Sequence, residues 1–468
     1  MSHELKQNMI SGGMWAAGGR LVAIVAAFVL NLVLARSLTP GDYGVYFVVM
    51  STMIILATVA TLGMDRIVVR FVAAYKGVGD WTGVRAVVKR CLMTVVAATA
   101  LLCLIFYFLT PWFFTHVVKM PAAIGLSGLM VLLLFVSTVQ RQLAETFRGL
   151  NDIRGATLFG GFRNNGILIS LITCGTLLIL WASGAMTLAA AFATTVCSSL
   201  LVVIVAAWTL QRRLRTAVQP LPAAPSSGNW TTGRVLHEGW PLWLASLLGV
   251  LRLQVNGWFA AGFDSSENVA LFAIADRFVL LMTAPLTIVN MLLPPVVAEL
   301  YARGENKRME RIVQAVGGLA SLPCIVILLL IVLIGRPVLG TLFGAHYEAA
   351  YPILVILSVG QIANIVTGSW QVVLPMTGLR RQTLHVTMWA GAVQILACTI
   401  GGYVAGVVGV ALGSCVGSLT GNVLGLAAAR RHLGIWTFIS LRRAVLTDAV
   451  TLLSKRIAGF MPMRARDA

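Results

Sequence analysis

Long apolar runs, each about 20 residues and separated by short polar segments, make up most of this chain. Runs of this length match the thickness of a bilayer, and they lack the alternating pattern of membrane β-barrel strands. Because lipid offers no hydrogen bonds to the backbone, such runs must form helices. We therefore predict an all-α integral membrane protein with about twelve transmembrane helices. They lie near residues 14–36, 42–63, 90–110, 123–143, 160–182, 186–208, 240–261, 269–296, 312–334, 352–376, 384–403 and 406–428.

A weak internal repeat relates the N-terminal half of the chain to the C-terminal half. Ala35–Phe47 (ARSLTPGDYGVYF) aligns with Ala261–Ala273 (AGFDSSENVALFA), 226 positions later. Val69–Gly77 aligns in the same way with Val296–Gly304, at an offset of 227. A near-constant offset predicts two homologous halves, and two like bundles with a substrate path between them are a common transporter plan.

A polar stretch rich in Pro, Ser and Gly, residues 209–237, lies between the sixth and seventh predicted spans. We interpret it as a cytoplasmic linker, because such segments seldom continue a helix. It separates an N-terminal six-helix lobe (1–208) from a C-terminal six-helix lobe (238–430). Residues 431–468 then form a basic cytoplasmic tail, in which Ser440 to Phe460 forms either an amphipathic helix on the anionic inner leaflet or a solvated tail.

The composition excludes a soluble protein, since 58% of the residues are hydrophobic, 11% are charged and the mean hydropathy is +0.89. The net charge of +19 would suggest nucleic-acid binding until the charges are placed. With the N-terminus inside the cell, 28 of the 35 Lys and Arg residues are cytoplasmic and three are external. This bias places both termini in the cytoplasm and makes the charge a topology signal, so we expect no nucleic-acid partner.

The glycines of the last span and the seven cysteines lead to two further expectations. Glycines recur every fourth residue in the last span, at 409, 413, 417, 421 and 425, which permits close helix contact either within the lobe or with a second subunit. The seven cysteines stand singly in or beside apolar spans, without metal-ligand spacing. We therefore expect packing roles for the cysteines, and neither a metal nor a cofactor.

The N-terminal third resembles a known family. Gly19–Ser51 (GRLVAIVAAFVLNLVLARSLTPGDYGVYFVVMS) resembles the first two spans of oligosaccharide flippases of the multidrug/oligosaccharidyl-lipid/polysaccharide (MOP) exporter superfamily. The similarity lies in Ala35-Arg36 at the end of the first span and in the turn Pro40–Gly44 before the second. Val68–Gly77 resembles the first cytoplasmic loop of the family, and Ala261–Arg277 resembles the equivalent turn of the second half.

The resemblance implies a fold and a function. The fold is two six-helix lobes around a central cavity, working by alternating access. The function is to flip a polyprenyl-pyrophosphate-linked oligosaccharide from the inner to the outer leaflet of the cell (inner) membrane. The resemblance places such a protein in O-antigen or exopolysaccharide biosynthesis, with polysaccharide polymerase machinery as a candidate partner.

Four arginines inside predicted spans are the strongest candidates for chemistry: Arg20, Arg163, Arg252 and Arg277. A charge at the bilayer centre costs about 2.5–3.5 kcal/mol even on insertion scales, so it usually faces the protein interior. Helical rise places Arg20 about 9 Å, Arg252 about 18 Å and Arg277 about 12 Å into their spans. Arginine suits a pyrophosphate because its planar fork donates paired hydrogen bonds and stays charged. Arg163 lies near a span end and snorkels to the inner surface on this interpretation.

Internal ion pairs are the alternative for these arginines. Asp276 lies at nearly the depth of Arg252, so the two side chains can pair, and Arg20 can pair with Asp65 in the same way. Asp276 has a second candidate role, since a buried carboxylate can titrate or bind a coupling cation. Glu145 lies at helical spacing from Arg141 and Arg148, which predicts a surface ion pair.

Amide side chains at depth are candidates for sugar binding, chiefly Asn256, Gln361 and Asn364. Asn256 lies one helical turn from Arg252, and the other two share the tenth span. Interhelical hydrogen bonds use the same residue types, so both roles stay open.

Three functions compete at this point. The first is the flippase just described, and the second is a cation-coupled exporter of drugs or metabolites from the same superfamily. The excess of intramembrane Arg over Asp and Glu favours an anionic substrate and therefore the flippase. The third is an enzyme, such as a membrane glycosyltransferase or polymerase. We expect no enzyme, because the chain has no DxD, HExxH or GxxxxGK[ST] motif and no large outer loop with paired acids.

Overall fold

The computed structural model describes residues 3–161, 166–216 and 232–439. In these ranges the chain is helical apart from short turns and connecting segments, with no β-strand. The helices before residue 217 are α1 (His3–Ser37), α2 (Pro40–Ala60), α3 (Met64–Gly77), α4 (Trp81–Trp112), α5 (Ser127–Gly149), α6 (Ile153–Leu158), α7 (Ile167–Ala182) and α8 (Leu188–Thr216). Those after residue 231 are α9 (Thr232–Phe263), α10 (Ser266–Met282), α11 (Ala284–Ala302), α12 (Asn306–Phe343), α13 (Tyr351–Thr367), α14 (Trp370–Met376) and α15 (Arg380–Leu433).

The predicted all-α membrane class is confirmed. Within the described ranges, eight helices are long and apolar enough to cross a membrane, and Leu21–Ser37 and Ile167–Ala182 are shorter apolar helices. α15 counts once among the eight, although it holds the predicted spans 384–403 and 406–428. These two spans meet at a kink where Ala405 and Gly406 leave helical geometry.

Three predicted spans have different boundaries from those expected. The span predicted at 160–182 begins only at Ile167. The span predicted at 269–296 is divided at Thr283 into α10 and α11. The span predicted at 352–376 is divided after Thr367, where Gly368 has a φ of 70°. A positive φ suits glycine and ends an α-helix, which hydropathy alone does not reveal.

The order of elements repeats at the offset found in the sequence. α2 begins at Pro40 and α10 at Ser266, 226 positions apart. α4 and α12 are the long helices that follow a short one in each half, and α5 and α13 come next after a 3-10 turn. One difference is clear, because α5 is continuous to Gly149 whereas its counterpart is broken into α13 and α14.

The turn Pro40–Gly44, in which the resemblance to the family lies, forms the cap at the start of α2. The Thr39 hydroxyl accepts a hydrogen bond from the Asp42 amide at 3.1 Å, and Pro40 occupies the first turn. Threonine at the cap, proline next and an acid in the first turn all favour a helix start. The Tyr43 hydroxyl donates to the Asn31 side-chain oxygen at 3.0 Å and ties the turn to α1.

Gly44 completes this turn by allowing close packing. A side chain at this position would overlap the backbone carbonyl of Ser266, the first residue of α10. Only glycine permits such an approach between two backbones. The turn therefore caps α2 and packs closely against the start of α10. These two roles explain why it needs specific residue types.

Packing divides the chain into two compact units, which we call the first and second unit. The first unit comprises Trp15–Ile274 with Leu342–Gly344. The second comprises the described residues up to Met14, Ala275–Thr341 and the described residues from Ala345. In the first unit, α9 packs along α2. Part of the predicted linker, 217–231, lies outside the described residues, so the lobe boundary proposed at 209–237 stays a prediction. The predicted amphipathic helix in the tail and Arg163 also lie outside them.

The glycine ridge of the last span packs within the second unit. Side chains added at Gly409 and Gly413 would overlap the backbone near Gly401 and Cys398, in the other arm of α15. Those at Gly417 and Gly425 would overlap the side chains of Gln394 and Trp370. The ridge thus closes a hairpin within the lobe, and of the two partners considered for it, the neighbouring helices are the ones observed.

Substituting Gly409 with alanine is expected to lower the free energy of unfolding by about 1–3 kcal/mol, because its methyl group overlaps the carbonyl of Gly401. Gly391→Ala is the matched control, since it lies in the same helix with open space around it. The control should gain up to about 1 kcal/mol from helix propensity. Thermal unfolding in detergent, followed by tryptophan fluorescence, measures both. Equal stabilities for the two variants would contradict close packing at Gly409.

Candidate functional site

The candidate residues Arg252 and Asn256 lie in the middle of α9, between two anchoring tryptophans. Trp243 donates from its indole nitrogen to the Thr58 carbonyl at 3.0 Å. Trp258 donates in the same way to the Thr52 hydroxyl at 2.8 Å. Both acceptors belong to α2, so the two indoles hold α9 against that helix along its length. The backbone that carries the candidates is therefore fixed on both sides of them.

Arg252 and Asn256 are one helical turn apart and share a side of α9, as predicted. Asn256 is buried and Arg252 is half-buried, whereas the adjacent Leu253 is 72% exposed. A half-buried guanidinium with an amide one turn away combines a cationic fork with a neutral hydrogen-bonding group. These are the groups that hold a phosphate and a sugar hydroxyl, respectively.

Asp65, predicted as an ion-pair or coupling residue, forms a buried ion pair with Arg141 of α5. Arg141 Nη2 lies 2.5 Å from Asp65 Oδ2, and Arg141 Nη1 donates to the Thr58 hydroxyl at 3.0 Å. The side chains of Arg141 and Asp65 are only 8% and 5% exposed. Thr58 thus links this ion pair to Trp243, because its carbonyl accepts from that indole.

One expectation for these charges needs correction, and another stays a prediction. The surface ion pair expected for Glu145 is largely buried: Glu145 is buried and pairs with Arg148 at 3.0 Å, and Arg141 is buried and pairs with Asp65. Asp65 pairs with Arg141, and the further pairing suggested with Arg20 stays a prediction. Arg20 belongs to α1 by its backbone, and its side chain lies outside the described part of the chain.

A second group of charges lies at the end of α8, on the predicted cytoplasmic side of the first unit. Arg213 pairs with Asp152 at 2.7 Å, and Lys76 donates to the Leu150 carbonyl at 2.5 Å. Burial lowers the pKa of Lys76, Asp152 opposes this by raising it, and Arg213 lowers it further. These contacts join α3, α6 and α8, so they stabilise the end of the bundle.

The remaining candidates belong to the second unit. Asp276 and Arg277 are adjacent and half-buried in α10. The structure brings Gln361 and Asn364 together, because Asn364 Nδ2 donates to Gln361 Oε1 at 3.2 Å. Both amides lie in the last two turns of α13, just before the break at Gly368. They retain free hydrogen-bonding capacity, since a primary amide offers two donors and two acceptor lone pairs.

The candidates therefore form two sets, Arg252 with Asn256 in the first unit and Asp276, Arg277, Gln361 and Asn364 in the second. A single site made from both sets stays a prediction, as does the Arg252–Asp276 ion pair. In the part of the chain that the structure describes, no cluster of His, Cys, Asp and Glu is suited to hold a metal ion.

Sequence reasoning missed Arg141, Thr58 and Trp243. A signal was available for Arg141, because it falls inside the predicted span 123–143 and so has to face the protein interior. None was available for Thr58, since threonine is frequent in membrane helices and its Oγ1 usually bonds its own backbone, here to Ile54 at 2.9 Å.

Comparisons with known proteins agree with this architecture. Residues 9–301 match the family model described as polysaccharide biosynthesis protein. A search of curated proteins found no matching relative.

Solved structures share the fold at low sequence identity. An inward-facing multidrug resistance MATE family transporter of the MOP superfamily is 18% identical, with a TM-score of 0.73 over 89% of this chain and 98% of its own. A MOP superfamily transporter from Pyrococcus furiosus, described by the reversed polarity of its binding pocket, is 16% identical, with a TM-score of 0.67 over 92% and 97%. The lipid II flippase MurJ, in an inward closed conformation, is 9% identical, with a TM-score of 0.64 over 98% and 94%.

The family match covers more than half of the chain, and the shared fold spans nearly all of it. The protein therefore belongs to the polysaccharide biosynthesis protein family, and it is an all-helical multi-pass membrane protein that shares its fold with transporters of the MOP superfamily.

Proposed function

We propose that this protein flips a polyprenyl-pyrophosphate-linked oligosaccharide from the inner to the outer leaflet, for cell-surface polysaccharide biosynthesis. The observation that carries the proposal is the match of residues 9–301 to the polysaccharide biosynthesis family. The fold shared with a protein named as a lipid II flippase supports it, because it shows this architecture in a flippase.

The chemistry of such a substrate explains the candidate residues. The pyrophosphate is anionic, and Arg252 offers it a fixed cationic fork. The glycan is polar, and Asn256, Gln361 and Asn364 offer it amides in place of water. Arg20 and Arg277 are further cations for the same anion, while the lipid tail stays in the bilayer through a lateral opening.

The transport cycle in this proposal is alternating access. The two lobes open in turn to the cytoplasm and to the outside, as in other transporters built from repeats. Asp276 either pairs with a neighbouring arginine or binds the coupling cation. The protein works in the inner membrane with both termini in the cytoplasm, beside the polymerase machinery that would use its product. O-antigen and exopolysaccharide are the product classes that fit.

A second candidate is a cation-coupled exporter of drugs or metabolites. The structural similarity to MATE transporters favours it, since they share the fold over most of the chain. Charge distinguishes the two candidates, because the polarity of a pocket must complement its cargo. The intramembrane residues Arg20, Arg252 and Arg277 are cationic, which favours an anionic cargo.

The deciding experiment uses cells depleted of the protein. Polyprenyl-linked sugars are extracted, and their leaflet is determined with an impermeant periodate or lectin label. We expect them to accumulate on the inner leaflet and to return to the outer leaflet when the wild-type protein is restored. An unchanged leaflet distribution, together with new drug sensitivity, would instead establish the exporter.

A further inference from the structure

The break between α13 and α14 leaves backbone carbonyls without helical partners. α13 ends at Thr367, and Gly368 turns the chain with a φ of 70° before α14 begins at Trp370. The last carbonyls of any helix need outside donors, and a buried carbonyl without one is costly. In the first half the equivalent helix, α5, continues without interruption and needs no such donors there.

A short segment that follows α15 supplies the donors. This segment, Gly434–Ile439, we call the strap. The Ile439 amide donates to the Val366 carbonyl at 3.0 Å, and the Thr437 hydroxyl donates to the Thr367 carbonyl at 2.7 Å. Gly368 has room for the strap only because it lacks a side chain, which would overlap the Thr437 carbonyl.

The other edge of the strap is bonded to α12. The Trp436 amide donates to Glu310 Oε1 at 2.9 Å, and Gln314 Nε2 donates to the Trp436 carbonyl at 3.0 Å. Thr437 is 0% exposed, and Ile435 is buried in a cluster with Val313 and its neighbours. The strap is therefore an ordered part of the second unit, although the sequence analysis placed it in the basic cytoplasmic tail.

The two sides of the break are anchored independently of the strap. The Ser369 hydroxyl donates to the Asn290 side-chain oxygen at 2.5 Å. Trp370 donates from its indole nitrogen to Asn422 Oδ1 at 2.8 Å, and the Thr367 hydroxyl donates to the same atom at 3.2 Å. The strap adds to these anchors the donors for the last two backbone carbonyls of α13, those of Val366 and Thr367.

We propose that the strap positions the amides of Gln361 and Asn364 for the glycan, with Thr437 as the positioning residue. Both amides lie in the last turns of α13, and Thr437 holds the final carbonyl of that helix. The role in glycan binding rests on the proposed function. The hold of the strap on the break does not, so the two parts are separable by experiment.

The test compares Thr437→Val with Thr437→Ser in the full-length protein, with Thr420→Val as a control. Valine removes the hydroxyl at nearly constant shape, whereas serine keeps it. Thr420 is half-buried in α15, and its hydroxyl donates to its own helix, at the Val416 carbonyl. Gln314→Leu serves as a milder second variant, because it loosens the strap from its other edge.

Two readouts are needed. In Thr437→Val, amide hydrogen exchange along Val366–Trp370 should accelerate by about tenfold, in line with one lost buried hydrogen bond. Exchange at Leu374, inside α14, should stay unchanged. In liposomes, the half-maximal concentration of lipid-linked oligosaccharide should rise by about tenfold with the maximum rate kept within about twofold. Loss of folded protein alone would instead lower the maximum rate. Thr437→Ser and Thr420→Val should match the wild type, and Gln314→Leu should shift both readouts by less.

Each outcome is decisive. Unchanged exchange at the break in Thr437→Val and in Gln314→Leu overturns the proposal. Faster exchange with an unchanged half-maximal concentration overturns the positioning role and leaves only a structural one. If the wild-type protein moves no lipid-linked oligosaccharide, the proposed function fails together with the glycan role of the two amides, and hydrogen exchange alone then decides whether the strap holds the break.

Discussion

Asp65→Ala is expected to lower the free energy of unfolding by about 3–5 kcal/mol, because it leaves Arg141 buried without its carboxylate. Arg141 lies in α5 and Asp65 in α3, and both side chains are almost fully buried. The cost is mainly that of an unpaired charge in a low-dielectric interior, which exceeds the net value of the bond itself. Chemical or thermal unfolding in detergent micelles measures the change.

The matched control is an exposed ion pair of the same charge type. Glu305→Ala removes the partner of Arg308, at the start of α12, where both side chains are partly solvated. Exposed pairs contribute about 0–1 kcal/mol, so this variant should be nearly neutral. A loss for Asp65→Ala no larger than that for Glu305→Ala would show that the Asp65–Arg141 pair is not buried in solution.

A double variant separates charge from packing. Replacing both partners with apolar residues, as in Asp65→Leu with Arg141→Met, removes the unpaired charge and should recover most of the lost stability. The Thr58 hydroxyl then loses its Arg141 partner but keeps its bond to the Ile54 carbonyl. A double variant as unstable as Asp65→Ala would contradict this account.

Arg252→Ala is expected to reduce flipping of the lipid-linked oligosaccharide by about ten- to a hundredfold, because it removes a charge-assisted hydrogen bond to the pyrophosphate. The flipping rate of Arg252→Lys should lie between those of the wild type and Arg252→Ala, since lysine keeps the charge but lacks the planar fork. Leu253→Ala is the matched control, one position along α9 with an exposed side chain. The measurement is the outer-leaflet signal in depleted cells at equal expression of each variant.

The alternative role of Arg252, as the ion-pair partner of Asp276, gives a different pattern. In that case Arg252→Ala leaves the half-buried Asp276 carboxylate without its partner, and Asp276→Ala in the same chain restores both stability and transport. Under the substrate-binding role the second substitution restores neither. Transport by Arg252→Ala equal to that by Leu253→Ala would contradict both roles.

The sequence alone was sufficient for the class of protein and for its local features. Hydropathy and run length reflect the solvent around each helix, so the membrane class could be read directly from the order of residues. The spacing of Arg252 and Asn256 depends only on helical geometry, which the sequence also determines. The repeat offset of 226 reappears in the starts of α2 and α10 because the cap at Thr39 and its counterpart at Ser265 are both local signals.

The tertiary structure decided which distant residues meet. Arg141 and Asp65 are 76 positions apart, and nothing local to either one selects the other. The break after Thr367 and the burial of the strap are likewise joined, because the strap supplies the donors that the broken helix lacks. Hydrophobic periodicity reports whether a helix faces lipid or protein, but a hydrogen bond between helices depends on their packing. For that reason the ion pair, the glycine hairpin and the strap emerged only from the folded chain.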